Sequence, residues 1–407
     1  MEKIEGGVTA AKGFEAAGVA AEIKYKGRTD MAIVYSRKPC VAAGTFTTNV
    51  AKAAPVTWDQ KIVKESPYVQ AVIVNSGIAN ACTGQEGYGY CKETADAAAK
   101  ELGIPSDSVL LGSTGVIGKQ LPVDRIKQGV AMLAKAKADT VEAGNAAAKA
   151  IMTTDTCEKE LAVKIEIGGK TVTIGGMAKG SGMIHPNMCT MLSFITTDAV
   201  IAKDALQKAL SEDVNDTYNM ISVDGDTSTN DTVLVLANGM AENEEILEGT
   251  ESYDAFKEAL HEINEYLAKK IAGDGEGATA LFEVNVVGAK TKEDAVKLSK
   301  SVACSNLTKT AIAGHDANWG RIICAMGYSG AQFDPEKVDL FFESAAGKIQ
   351  IAENGVALDF SEEKATEILS QPIVTATADV KMGKEKATAW GCDLTHGYIE
   401  INADYRS

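Results

Sequence analysis

The sequence predicts a layered α+β fold. Three observations carry this. Short β-rich runs recur along the whole chain, helical periodicity is confined to six stretches, and the two alternate too loosely for a strict parallel βαβ succession. A hairpin signal, Ile167-Gly168-Gly169-Lys170, joins two of the runs directly.

Taken in order, the predicted strands are 71–75, 108–111, 161–167, 171–174, 191–197, 232–236, 282–287, 348–352, 372–380 and 398–403, each rich in β-branched or aromatic residues. The predicted helices are 92–102, 124–134, 138–151, 203–218, 253–271 and 293–302. Gly103 and Gly273 stand where helix-ending glycines belong, and Thr291 with Asp294 makes an N-terminal cap. The 407 residues suggest two to three lobes, with the helix-rich stretch near 203–272 hinting at a boundary.

Composition excludes several classes. A net charge of −16 leaves no basic surplus to displace phosphate counterions, so nucleic acid is not expected as a partner. No apolar run reaches the ~18 residues of a membrane-spanning helix, and residues Met1 to Gly7 lack the apolar stretch of a secretory signal. None of the eight cysteines forms a C-x-x-C pair, which fits reduced thiols in the cytoplasm.

The most unusual segment is Gly175 to Thr190, whose glycines and Pro186 resist regular structure, running straight into a strand at Met191. A hydroxyl at such a junction has a specific use. The Thr190 oxygen can attack the Cys189 carbonyl, and hydrolysis of the resulting ester leaves Thr190 as a new N-terminus. Its α-amine, with an intrinsic pKa of roughly 7.7–8, then serves as base for its own hydroxyl. A glycine-rich turn before an ordinary strand meets the same pattern.

Other segments also leave alternatives open. Gly112-Ser-Thr114-Gly115-Val-Ile-Gly118 follows a strand; its exposed amides can hold an oxyanion, or it is a plain tight turn. Its spacing matches neither a dinucleotide fingerprint nor a Walker loop. Asp224 to Asp231 lacks the glycine and glutamate of a calcium loop, and its short polar side chains suit the ordering of a turn. His185, His261, His315 and His396 lack zinc-ligand spacing, so no metal is expected. His185 is a supporting donor or a turn residue, and His261 a surface residue among charges. Glu276, between Gly275 and Gly277, either binds an ammonium or is a solvated loop acid.

In this order the segments resemble the glutamate N-acetyltransferases, or ornithine acetyltransferases, of arginine biosynthesis. The resemblance runs through Gly6–Phe14, Asn75–Asn80, Gly112–Gly118, Met177–Asp198, Asp224–Thr232 and Lys309–Arg321 to the last residue. It implies self-cleavage into an α chain, 1–189, and a β chain, 190–407, with an α/β fold of two β layers between helices, similar to that of N-terminal-nucleophile hydrolases. It implies Thr190 as nucleophile, Thr114 and Gly115 as the oxyanion site, and Thr153, Lys179, Thr190, Glu276, Asn402 and Ser407 as substrate contacts. It further implies N2-acetylornithine and glutamate as substrates, an α2β2 assembly, and no cofactor, with acetyl-CoA as a candidate co-substrate. Cys189 stands where the family has alanine, and Ser407 where it often has threonine. An autoprocessing aminopeptidase or amidase is the alternative enzyme, and a ligand-binding protein with an intact loop the non-enzymatic one.

Overall fold

The structure is a computed structural model that describes residues 1–185 and 191–404. The described residues form strands β1 (Glu2–Ile4), β2 (Phe14–Val19), β3 (Met31–Phe46), β4 (Val69–Ile78), β5 (Val109–Val116), β6 (Lys159–Ile167), β7 (Lys170–Lys179) and β8 (Leu192–Thr197). Further along come β9 (Thr232–Ala237), β10 (Leu281–Ala289), β11 (Asp339–Ser344), β12 (Gly347–Glu353), β13 (Val356–Ala357), β14 (Ile373–Asp379) and β15 (Glu385–Cys392). The helices are α1 (Ala54–Glu65), α2 (Gly84–Leu102), α3 (Val123–Ala136), α4 (Val141–Ala150), α5 (Lys203–Asp213), α6 (Glu251–Gly273), α7 (Lys292–Cys304), α8 (Asn306–Ala313), α9 (Trp319–Gly327), α10 (Glu362–Leu369) and α11 (His396–Ala403). No described helix is long and apolar enough to cross a membrane.

The chain divides into two compact units. The first comprises Met1–Gly180, Pro186–Asn219 and Thr227–Leu267; the second comprises Ser181–His185, Met220–Asp226 and Ala268–Ser407. The division therefore does not follow the 189/190 boundary.

In the first unit a nine-stranded sheet has the order β1-β6-β7-β8-β9-β3-β4-β5, with β2 also on β3. Its geometry turns on β3. A register shift between Tyr35 and Cys40 lets the first part of β3 pair with β2 and β4 and the last part with β9. One strand thus belongs to two layers, as β-bulges allow. The layers face each other where Gly112 of β5 meets Phe194 of β8: a Cβ there would lie 3.1 Å from the ring. Met177, Phe194, Leu234 and Leu236 share one buried cluster with Val74, Leu110 and Leu111. Helices cover the outer faces. Ile263 and Leu267 of α6 press on Gly176 of β7, and a Cβ on Gly18 of β2 would collide with the α4 backbone at Ala146.

The second unit holds a six-stranded sheet of order β13-β12-β11-β14-β10-β15. Strand β10, next to the edge strand β15, runs parallel to β14 and antiparallel to β15.

The mixed α/β prediction holds. The hairpin β6–β7 turns at Gly168 and Gly169, with φ of 57° and 75°, where glycine carries no steric penalty. Gly103 ends α2 in the left-handed region, and Thr291 Oγ1 accepts the Asp294 N–H at the start of α7. The strand predicted over 398–403 is instead helix α11. The Thr395 hydroxyl accepts the Gly397 N–H and starts a helix, while Ile399 and Ile401 remain 64% and 37% exposed, so their alternation faces no core. Helix α2 starts eight residues before the predicted 92, through Gly87 and Gly89, poor helix formers that masked its first turns. The helix predicted over 203–218 ends at Asp213.

Candidate active site

Strand β5 delivers Thr114 and Gly115 near its C-terminal end, beside the turn of β4. Gly115 has φ +125°, and a Cβ would collide with the Gly77 backbone, so only glycine fits there. A buried polar network braces this corner. Ser113 Oγ donates to Asn75 Oδ1 at 2.6 Å, and Asn75 Nδ2 donates to the Ile78 carbonyl at 2.9 Å. Asn230 Nδ2 donates to the carbonyls of Ala79 and Ser113 at 2.6 and 2.8 Å. Satisfied networks of this kind hold backbone groups in one arrangement.

Lys179 ends β7, and its side chain is 8% exposed. Its ammonium donates to Thr153 Oγ1 at 2.9 Å and reaches Thr114 Oγ1 at 3.5 Å. A hydroxyl that accepts from an ammonium keeps its own proton for another acceptor. Thr153 lies in the loop after α4, where Arg28 Nη2 donates to the Met152 and Thr153 carbonyls at 2.9 and 2.8 Å.

Beneath these groups lies Asp155, whose side chain is completely buried. It accepts from Lys159 Nζ at 2.8 Å, the Gly180 N–H at 2.6 Å and the Thr153 N–H at 3.0 Å, with Lys179 Nζ 3.8 Å away. Burial works to raise its pKa, but the Lys179 and Lys159 ammonium groups and these hydrogen bonds hold it well below the usual carboxylate range. Asp231, just before β9, shows the opposite balance. Burial pushes its carboxyl well above the usual range despite the Ser228 and Thr47 hydroxyls, Lys179 and the Met191 N–H, and its Oδ2 has no hydrogen-bond partner among the described residues.

In the second unit Glu276 is buried, and its N–H donates to the Ser181 carbonyl at 2.9 Å. Asn402 Nδ2, on α11, donates to Glu276 Oε2 at 2.6 Å. A Cβ on Gly182 would collide with the Glu276 carboxylate, so this glycine makes room for the acid. Gly277 has φ +71° and packs against Gly397, while Thr395 Oγ1 donates to the Gly277 carbonyl at 2.6 Å, fastening α11 to the Glu276 loop. Asp224 accepts the Met183 and Ile184 N–H groups at 2.6 and 2.9 Å, the turn-ordering role its residue type suggested. His185 Nδ1 lies 3.1 Å from Ser222 Oγ and 3.5 Å from Cys304 Sγ; burial and Lys300 lower its pKa.

Of the predicted site residues, Thr114, Gly115, Thr153 and Lys179 therefore lie in the first unit, with the Lys179 ammonium between the Thr153 and Thr114 hydroxyls. Glu276 and Asn402 pair in the second unit. Cys189, Thr190 and Ser407 lie outside the described residues. Asp155 and Lys159 escaped the sequence reading, and Asp231 entered it only as part of a turn segment. An Asp and a Lys four apart are ordinarily a solvated pair, and nothing in their spacing announced burial.

The chain matches the ArgJ family over residues 15–407. It is 54% identical over 398 residues to the arginine biosynthesis bifunctional protein ArgJ of Thermotoga neapolitana, covering 97% of this chain and 99% of that one. It is 53% identical over 409 residues to the same-named protein of Symbiobacterium thermophilum, covering both completely. The crystal structure of the arginine biosynthesis bifunctional protein of Bacillus halodurans is 48% identical with a TM-score of 0.51, covering 53% of this chain and 99% of that chain. Fold and similarity together define an N-acetyltransferase, an enzyme of arginine biosynthesis. The chain belongs to the ArgJ family.

Proposed function

We propose that the protein transfers the acetyl group of N2-acetylornithine to glutamate by a ping-pong route through acetyl-Thr190, after cutting its own backbone between Cys189 and Thr190. The observation that carries this reading is the Lys179 ammonium held between the Thr153 and Thr114 hydroxyls, next to Gly115. It combines a cation for a substrate carboxylate with a hydroxyl donor for an oxyanion.

In maturation the Thr190 oxygen attacks the Cys189 carbonyl carbon and the C–N bond breaks. The amine takes the hydroxyl proton, and water hydrolyses the ester, leaving a Cys189 carboxylate and a free Thr190 amine. In the first half-reaction the Thr190 oxygen attacks the acetyl carbonyl while the α-amine takes its proton. Thr114 and Gly115 stabilise the oxyanion, the proton passes to the departing amine of ornithine, and acetyl-Thr190 remains. Glutamate's amine then attacks the ester, the threonine oxygen regains a proton, and N-acetylglutamate departs. An amide is exchanged for an amide through an ester, a chemistry that calls for no metal or redox cofactor. Thr153, Lys179, Glu276, Asn402 and Ser407 hold the substrates, Lys179 at a carboxylate and Glu276 at an ammonium. The Bacillus halodurans chain, about half as long as this one, has the length expected of one product of the cut. The word bifunctional in the relatives' name supports a second reaction in which acetyl-CoA acylates Thr190. The two products would stay together as a cytoplasmic α2β2 enzyme.

Peptide mass spectrometry on rapidly quenched enzyme tests the reading. With acetylornithine alone, one acetyl group is expected on the peptide beginning at Thr190, and glutamate should discharge it. Acetyl on Lys179 or Cys189, or a mature active enzyme that runs as a single chain, would overturn it. Thr114→Ala should lower kcat about 10²–10³-fold with little change in KM. Glutamate with acetyl-CoA and no acetylornithine tests the second reaction.

A further inference from the structure

We propose that Asp231 is a positioning residue for the nucleophile: it holds the Met191 N–H, and so the peptide that joins Met191 to Thr190, while its neighbour Asn230 holds the oxyanion corner. The proposal rests on the reading that Thr190 is the nucleophile and Thr114 with Gly115 the oxyanion site.

Three consecutive residues of the segment that enters β9 grip the two strands that carry the chemistry. Asn230 Nδ2 donates to the Ser113 and Ala79 carbonyls at 2.8 and 2.6 Å. The Ser113 carbonyl shares one planar peptide with the Thr114 N–H, so this grip orients the start of the oxyanion site. The Asp231 carboxyl accepts the Met191 N–H. Its Oδ2 has no partner among the described residues, so Oδ1 is the acceptor. Thr232 then donates its own N–H to the Met191 carbonyl at 2.9 Å. Both backbone groups of Met191 are thus held by two successive residues. The Met191 N–H belongs to the same planar peptide as the carbonyl of residue 190, so holding it fixes one end of the nucleophilic residue.

The β8–β9 ladder begins at Leu192 opposite Thr232, and Met191 lies one residue before it. Met191 is 4% exposed, and a buried N–H where the ladder has not yet started needs a side-chain acceptor. The gripping segment is itself fixed. Asn230 and Asp231 are buried. Thr229 Oγ1 donates to Asn230 Oδ1 at 2.6 Å, setting the orientation of the amide, and Thr232 Oγ1 donates to the Asn230 carbonyl at 3.0 Å. The Asp231 carbonyl accepts the Thr47 N–H at 3.0 Å, just past the end of β3. Burial favours the neutral form of the Asp231 carboxyl, so the position calls for an acceptor oxygen rather than a charge. Asparagine supplies that oxygen in nearly the same shape.

The test compares wild type, Asp231→Ala and Asp231→Asn as full-length chains. It reads the fraction cut after Cys189, kcat and KM for acetylornithine per cut molecule, and the peptide that carries the acetyl group. Asp231→Ala should slow self-cleavage and lower kcat about tenfold or more, within what a misplaced reacting group costs, with KM within about threefold of wild type. Asp231→Asn should bring kcat back to within about threefold. Neither that rescue nor the separation of kcat from KM is expected of a purely structural loss. If acetyl appears on the Thr190 peptide but Asp231→Ala keeps its kcat, or raises KM alone, this inference falls while the nucleophile reading stands. An Asp231→Asn as slow as Asp231→Ala would also overturn it, because the acceptor oxygen would then not be what matters. If acetyl in the wild type appears elsewhere, the nucleophile reading falls and takes this inference with it. Should Asp231→Ala fail to fold, Asp231→Asn decides: a kcat within about threefold of wild type supports the inference, and a tenfold loss overturns it.

Discussion

Lys159, Asp155 and Lys179 form one cluster of three ionisable groups in the first unit, and His261, Asp213 and Glu265 form another on helices α5 and α6. In the second, His261 Nδ1 is 2.6 Å from Asp213 Oδ1 and Nε2 is 3.1 Å from Glu265 Oε2, distances as short as those around Asp155. The difference is water. His261 is 42% exposed and Glu265 33%, whereas the Asp155 and Lys159 side chains are fully buried. The hydrogen bonds with Asp213 and Glu265 raise the His261 pKa to about 10 against the effect of burial, so it is charged at neutral pH. Proximity alone therefore does not distinguish a surface ion cluster from a structural and functional one. Desolvation does, because it decides what each group loses when its partner is removed.

The largest effect should come from breaking the buried cluster. Asp155→Ala removes the buried carboxylate that two buried ammonium groups share and should cost about 3–5 kcal/mol in urea unfolding at neutral pH. A loss below about 1 kcal/mol would erase the contrast. The same carboxyl should show in acid. Its folded pKa lies below the unfolded value of roughly 3.9, so its stabilisation is present above that value and is lost as pH falls toward the folded one. Wild type should lose stability below about pH 4 more steeply than Asp155→Asn; parallel acid limbs would contradict the assignment.

His261 should respond at the other end of the scale. Its folded pKa is raised, so its contribution is complete below the unfolded value of roughly 6.5 and disappears as pH rises through the folded value. The stability difference between wild type and His261→Ala should shrink steadily from neutral pH to about pH 10. A constant difference over that range would mean the histidine is not charged there. Salt sharpens the comparison, since 1 M salt shortens the screening length to about 3 Å. It should weaken the His261 contribution and leave that of Asp155 nearly unchanged. The smallest effect belongs to a fully surface pair, Lys92 and Asp96 one turn apart on α2. Lys92→Ala should cost only about 0.3–0.5 kcal/mol in the same unfolding assay, and a loss as large as that of Asp155→Ala would break the ranking by burial.

Much of the framework was legible because it rests on local patterns. The β6–β7 hairpin, the Gly103 and Thr291 helix ends and the long helices α6 and α7 each follow from a few adjacent residues. Strand β3 was not, since its two halves pair with different layers and its middle residues Arg37 to Pro39 interrupt the apolar run. Helix α11 failed for the reverse reason, its Tyr398, Ile399 and Ile401 looking like a strand until a capping threonine decided otherwise. At the site, Thr114, Gly115, Thr153, Lys179, Glu276 and Asn402 came from the order of motifs along the chain. Asn75 and Asn230, which brace the Thr114 corner, lie inside two of those motifs, but the Ser113 hydroxyl that donates to Asn75 and the two carbonyls that accept from Asn230 are distant in sequence, and no spacing rule links them.

By itself the amino-acid sequence determined the alternation of elements, the turns and caps, and membership in a family, because each depends on neighbours along the chain or on motifs in series. Tertiary structure alone decided which charges count. Lys159 and Asp155 are ordinary residues in a charged segment until β6 and β7 close over them, and Asp231 is an ordinary acid until burial favours its proton. Desolvation is a property of all the atoms around a group, most of them far away in sequence, so no local pattern records it.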